Sequence, residues 1–174
     1  MNKEVAQNGG IIGIISDTHD NIYMIDKAVK RLNELGVKLV LHAGDYVSPF
    51  TVQHFKPLQA KMVGVYGNNC AERAMLKKLF LDIGADIRGF FAEVREGGVK
   101  IALLHGHDEE LLRSLVESEV YDLVVHGHTH RVSVERKGRT MVINPGEVCG
   151  YLSGESTMVI FNLETRDAEI VTIC

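Results

Sequence analysis

Seven side chains of metal-binding type occur at five points of this chain. They are Asp17 and His19 in Asp17-Thr18-His19, Asp45 after Gly44, Asn68 after Gly67, His105 in His105-Gly106-His107, and His128 and His130 in Gly127-His128-Thr129-His130. Imidazoles with carboxylates suit borderline divalent cations. Two carboxylates, four imidazoles and an amide exceed what one tetrahedral zinc takes,. They suffice for two ions that share a carboxylate. Such a pair, roughly 3.5–4 Å apart, clamps an in-line phosphoryl displacement. Each ion also acidifies bound water, so hydroxide is available near neutral pH. A lone His-x-His is a weak signal, because it arises by chance; five such clusters in one chain are hard to read as ordinary solvated loops.

The clusters recur at one kind of place. Apolar runs over residues 11–16, 37–43, 62–66, 99–104 and 122–125 each stop at one of them. Such runs read as buried strands. Strands covered on both faces belong to a parallel or mixed sheet, and ligands bind beyond the carboxyl ends of its strands. In extended chain, alternate residues point the same way, so His126, His128 and His130 are expected to share a face, as are Asp17 and His19. Gly127 permits a turn or a close approach.

Between the runs lie the elements that must position them. Asp20 or Asn21 can cap a helix carrying Ile25, Ala28, Val29 and Leu32 on one face and stopping near Gly36. Ser48-Pro49 opens a short helix closed by Pro57. A helix over 71–81 has Met75, Leu79 and Phe80 as its apolar stripe, and one capped by Asp108 carries Leu111, Leu112, Leu115 and Val116. After Gly84 hairpins dominate: 90–95 with 99–104, 132–136 with 140–143 across Lys137-Gly138, and 157–162 with 168–173; Asn144-Pro145-Gly146 is a turn. The order predicts an α/β fold of two packed sheets with helices outside, in preference to one mixed doubly wound sheet.

At 174 residues the chain is most simply one domain, residues 11–174, behind a loose polar leader over 1–10,. The formal net charge of −4 comes without a long basic run, so no nucleic-acid partner is expected,. The three cysteines, Cys70, Cys149 and Cys174, form no CxxC pair, which fits a reducing compartment and argues against a disulfide framework,. Without a signal-peptide pattern or an apolar stretch near 18 residues, the expectation is a cytoplasmic protein with no membrane partner.

The ordered motifs quoted above resemble the signature of calcineurin-like metallophosphoesterases, over about residues 11 to 174. The short YfcE-like phosphodiesterases of archaea and bacteria are the most similar branch, and Asn144-Pro145-Gly146-Glu147 and Cys149-Gly150-Tyr151 resemble its C-terminal turn. The resemblance implies a four-layer α/β/β/α sandwich of two mixed sheets. It implies one metal on Asp17, His19, Asp45 and His130, and a second on Asp45, Asn68, His105 and His128, with Asp45 bridging. Asp45, Asn68 and His105 would be the catalytic set around an attacking bridging hydroxide. Mn²⁺ is the expected cofactor, with Ni²⁺, Zn²⁺, Fe²⁺ or Co²⁺ suited to the same donors. The expected reaction is hydrolysis of a small phosphodiester or nucleotide-type substrate. The other readings are a phosphomonoesterase at the same site and a non-catalytic scaffold of the retromer-subunit type.

One departure bears on the substrate. Many family members follow the Gly-Asn pair with a histidine that acts as general acid and then an acidic residue. Asn69 and Cys70 stand there. An amide cannot donate a proton usefully near pH 7, so diesters with good leaving groups are favoured over monoesters. Cys70 is either a small buried replacement for the acid or a thiolate drawn toward the metals. His107, Arg73 and Asn69 are candidate substrate contacts, with Arg131 a weaker one. His42 and Asp20 are candidate supports behind the ligands. His126 reads as packing and His54 as an ordinary helix histidine. The last strand, 169–174, is a candidate edge for a homodimer.

Overall fold

A computed structural model describes residues 10–174. The expected leader lies outside them except for Gly10, whose carbonyl accepts from Leu163 N–H at 3.1 Å. The elements, in order, are β1 (Ile11–Ile15), α1 (Ile22–Leu35), β2 (Leu39–His42), a 3-10 helix (Pro49–Phe55), β3 (Lys61–Gly64), α2 (Arg73–Asp82) and β4 (Ala85–Ile87). There follow β5 (Phe91–Glu96), β6 (Val99–Leu104), α3 (Glu109–Glu117), β7 (Leu123–Val125), β8 (Val132–Lys137), β9 (Thr140–Pro145), β10 (Thr157–Asn162) and β11 (Ala168–Thr172). They build two mixed sheets, ordered β11-β10-β1-β2-β3-β4 and β5-β6-β7-β9-β8. In the first, β1 to β4 run parallel and β10 joins β1 antiparallel. In the second, β6, β7 and β9 run parallel between antiparallel edges.

The alternation of side chains sorts the core into interfaces between layers. Ile12, Ile14, Leu41 and Val65 meet Ile101, Leu103, Leu123 and Ile143 between the two sheets. Ile15, Val40 and Met62 face the other way, onto Ile25, Val29, Leu32, Leu76 and Phe80 of the helices. Ala102, Leu104 and Val124 carry Leu112, Leu115 and Val116 of α3. Two sheets with helices on both outer faces are the expected α/β/β/α sandwich, and the single doubly wound sheet is set aside.

α1 forms as its spacing requires. Asn21 caps it by accepting from Met24 N–H, and Gly36 ends it in the left-handed region at φ 66°,. Its apolar stripe lies flat on β1 because Gly13 has no side chain there; a Cβ on Gly13 would collide with Leu32 Cδ2. The other helices differ from their sequence reading. α2 buries Leu76 and Phe80, while Met75 points to solvent. α3 buries no residue fully, because a helix of nine residues rests only one edge on the sheet. β4 was not expected: three residues between Gly84 and Arg88 are too few to show a period. β9 runs through the predicted turn to Pro145, which ends its pairing opposite Val132.

Gly13→Val is expected to destabilise the fold by about 2 kcal/mol through overpacking against Leu32. Urea unfolding read by circular dichroism would check it, and an unchanged midpoint would contradict the α1–β1 contact.

Candidate metal centre

The loops after β1, β2, β3, β6, β7 and β9 meet beyond the strand ends. Each fixes another's backbone. Asp17 N–H donates to Gly44 O at 3.0 Å, His19 N–H to Asp45 O at 3.1 Å and Gly127 N–H to His105 O at 2.9 Å. The loop after β9 closes on the first, with Val148 N–H on Ser16 O at 3.0 Å and Cys149 N–H on Asp17 O at 3.1 Å. Two glycines make the approach feasible. A side chain on Gly67 would overlap Asp45, and one on Gly127 would overlap Ser16 and Asp17.

The expected extended histidine segment is absent. β7 stops at Val125, and His128 and His130 take φ of 68° and 59°. Asp17, His19 and Asp45 are also left-handed, at 53°, 38° and 59°. Each non-glycine residue held there costs on the order of 1 kcal/mol, and such outliers gather at functional sites. The turns bring the ligand atoms together where an extended strand would have spread them along a face. His126, which stays behind in the strand-end geometry, bonds toward Gly127 O and Asn144, and burial lowers its pKa.

The assembled set is tight. His130 Nε2 lies 3.3 Å and His19 Nε2 3.6 Å from Asp17 Oδ1. Asp45 Oδ2 stands between the two halves, 3.4 Å from His19 Nε2 and 3.3 Å from His105 Nε2. His128 stands with its ring 5.2 Å from that of His105, and its N–H donates to Asp17 Oδ2 at 3.1 Å. Asn68 is exposed at the rim, in the loop whose next residue binds Asp45. Five of the seven expected ligands, Asp17, His19, Asp45, His105 and His130, thus have their ligand atoms linked through these pairs; His128 joins them through its backbone N–H and its ring, and Asn68 stands in the adjoining loop.

Supporting contacts aim these atoms. His105 is held through Nδ1 by Ala43 O at 2.8 Å, which turns Nε2 into the site. His130 Nδ1 lies 2.6 Å from Glu147 Oε2. Glu147 was visible in the sequence only as part of a turn. It is fully buried and accepts from Cys149 Sγ, the N–H groups of Tyr151, Leu152 and Ser153, and the Ser153 hydroxyl. Burial disfavours its charge, but these donors together hold its pKa at about 2. With its oxygens so occupied, Glu147 orients His130 and has little left to offer a cation. Asn144, likewise legible only as part of that turn, uses its amide to pin Gly127 O and Thr129 Oγ1, at 2.9 Å each.

Other candidates take different places. Asn69 was expected to touch substrate, yet its backbone and side-chain N–H groups donate to the two oxygens of Asp45, at 2.8 Å each. His42 supports the site through the backbone, accepting from Gly44 N–H at 3.1 Å; burial drives its pKa to about 3, so it is neutral. Asp20 accepts from Ser48 N–H and Oγ and ties the first loop to the second. His54 pairs with Asp26 at the surface, and Arg131 is exposed. His107 and Arg73 are exposed on the His128 side.

The electrostatics call for positive charge. Asp17 and Asp45 are buried. Burial opposes their ionisation, but the imidazoles around them, with Asn69 on Asp45, hold both pKa values below the usual carboxylate range. Burial likewise opposes a charge on His105, and Asp45 overrides it, raising its pKa. Asp17 Oδ1, His19 Nε2 and His105 Nε2 are buried without a hydrogen-bond partner. Such orphans cost about 1–3 kcal/mol each. Three of them converging on one space fit divalent cations, and Asp17, His19 and His130, and again Asp17, Asp45 and His105, present ligand atoms within 4.8 Å of one another.

This sandwich, with buried carboxylates and imidazoles at its strand ends, defines the class of a metal-dependent phosphoesterase. The chain belongs to the calcineurin-like phosphoesterase superfamily, whose domain matches residues 11–166. It is 41% identical to phosphodiesterase MJ0936 of Methanocaldococcus jannaschii over 157 residues, 90% of this chain and 95% of that protein. A solved archaeal phosphodiesterase superposes with a TM-score of 0.90 at 39% identity, covering 93% and 99% of the two chains. The fold recurs in the phosphoesterase YfcE of E. coli (TM-score 0.69, 18% identity, 94% and 100% covered). It recurs also in a Vps29 variant of Entamoeba histolytica (0.66, 19% identity, 94% and 99% covered).

Cys70 takes the structural of its two readings. It is buried, accepts from Gly67 N–H at 3.3 Å and has its pKa raised by burial, so it is a thiol that shapes the Asn68 loop. Cys149, buried beside Glu147, is pushed up to about 12. In native protein, only the exposed Cys174 is expected to react rapidly with a thiol-disulfide reagent. Rapid reaction of a second thiol before unfolding would contradict this account of Cys70 and Cys149.

Proposed function

We propose that this protein is a phosphodiesterase that works with two divalent cations on a small phosphodiester substrate. The observation that carries the reading is the trio of buried ligand atoms, Asp17 Oδ1, His19 Nε2 and His105 Nε2, that make no hydrogen bond although both imidazole atoms face Asp45 Oδ2 at 3.4 and 3.3 Å. The likeness to phosphodiesterase MJ0936 supports it. Asp17, His19, Asp45 and His130 would hold one cation, and Asp45, Asn68, His105 and His128 the other. When bound, the pair supplies acidified water and concentrated positive charge for a phosphoryl group. Mn²⁺ is the proposed metal, with Ni²⁺, Zn²⁺, Fe²⁺ and Co²⁺ suited to the same donors.

The chain's own residues do the rest. Asn69 and the Gly67 turn fix Asp45, Ala43 fixes the direction of His105, and Glu147 fixes His130. Asn69, committed to Asp45, leaves no proton donor for the leaving group at that position. The site therefore suits diesters whose leaving groups depart without protonation.

Chelator-stripped protein is expected to regain hydrolysis of bis(p-nitrophenyl) phosphate with Mn²⁺, well above its rate on p-nitrophenyl phosphate. Preference for the monoester would sink the argument from Asn69; no turnover of either with any metal, in folded protein, would sink the enzyme in favour of a scaffold. Glu147→Gln is expected to weaken metal binding about 10–100-fold by loosening His130. Competition against a metallochromic chelator would measure it, and wild-type affinity in a folded variant would remove Glu147 from the site.

A further inference from the structure

Beside the His128 half of the centre lies a surface that the metal site does not use. From the ring of His128 it is 6.2 Å to that of His107, and a further 6.2 Å from His107 to Phe90. The guanidinium of Arg73 sits over Phe90, with Cζ 4.7 Å from the ring centroid, and Tyr66 flanks both. Phe90 is 48% exposed, and His107 and Arg73 are exposed as well.

The surface is fixed in place. Phe90 follows Gly89, left-handed at φ 89°, whose carbonyl accepts from Tyr66 N–H at 2.6 Å. The Tyr66 hydroxyl donates to Arg73 O at 2.8 Å. Tyr66 leads into Gly67-Asn68, so the aromatic surface is tied directly to the loop that carries Asn68. A cation held against an aromatic face near 5 Å is a real attraction, and here it keeps a phenyl ring presented to solvent at the edge of the centre.

We infer that Phe90, with Arg73 and His107, is the subsite for a planar base, so that the substrate is a nucleotide-type phosphodiester. This rests on the phosphodiesterase reading above. A group esterified to a phosphoryl held at the centre meets His107 and then Phe90 on leaving it. The surface is only a few rings wide, and the exposed neighbours Asn68, Glu72 and Asp108 are polar. An acyl chain would find no apolar trough there, whereas a base needs one stacking face with polar groups around it. Arg73 adds a guanidinium plane, on which bases also stack.

The test compares adenosine 5′-monophosphate with ribose 5-phosphate, which differ by the base. Their binding to the Mn²⁺-loaded protein is measured by calorimetry, with turnover of bis(p-nitrophenyl) phosphate on the same sample. The nucleotide is expected to bind about tenfold more tightly. That ratio should fall toward one in Phe90→Ala and return in Phe90→Trp, which restores a larger stacking face. Equal affinities in the wild-type protein, or a ratio that Phe90→Ala leaves alone, would overturn the subsite while diester turnover upheld the phosphodiesterase. A sample that binds both compounds but turns over no diester would overturn that reading, and with it the claim that the surface serves a substrate.

Discussion

Two buried carboxylates govern this structure. Among the described residues, the ion-pair partners of Asp17 and Asp45 are all imidazoles, with no lysine or arginine among them. A carboxylate taken out of water is costly unless it is paired and hydrogen-bonded. Asn69 and the His128 N–H meet part of that need, and protonation of His19 and His105 would meet more. Orphaned ligand atoms nevertheless remain. The centre is built to be completed by positive charge from outside the chain.

The rest of the fold supplies the rigidity that this arrangement demands. Left-handed backbone at Asp17, His19, Asp45, His128 and His130 persists only where the surroundings over-determine it,. The loops that hold these residues are hydrogen-bonded to one another, so none can relax alone. Behind them, the core between the sheets anchors β1, β2 and β3 against β6, β7 and β9. Apolar burial, spread through three interfaces, thereby offsets strain concentrated at one edge.

The two sides of the centre differ in finish. The His130 side is wrapped by the loop after β9, where Glu147 takes up sulfur, hydroxyl and backbone donors as well as the imidazole. The His128 side opens onto Asn68, His107 and Phe90, all exposed. The His128 side is thus the open one, while the loop after β9 fixes the geometry of the closed side.

Much of this was legible in the chain itself. Apolar runs that each stop at Asp, Asn or His mark strands ending at a common edge, because burial sets the run and the ligand marks its exit. Period and capping located α1 to Gly36, and apolar runs on either side of a short polar turn located the hairpins. Local pattern could not show how the ligands converge. Alternation suggested an extended face for His126, His128 and His130, but contacts with Asp17, His105 and Asn144 impose left-handed turns instead. Nor could it show that Asn69 serves Asp45, that Glu147 serves His130, or that Arg73, Phe90 and His107 share a surface. These partners lie far apart in sequence or are turned by the loop between them, and only the packing of two sheets decides which of them meet. The sequence by itself determined the donor types and the strand each one follows; the tertiary structure decided their distances, their burial and therefore their charge.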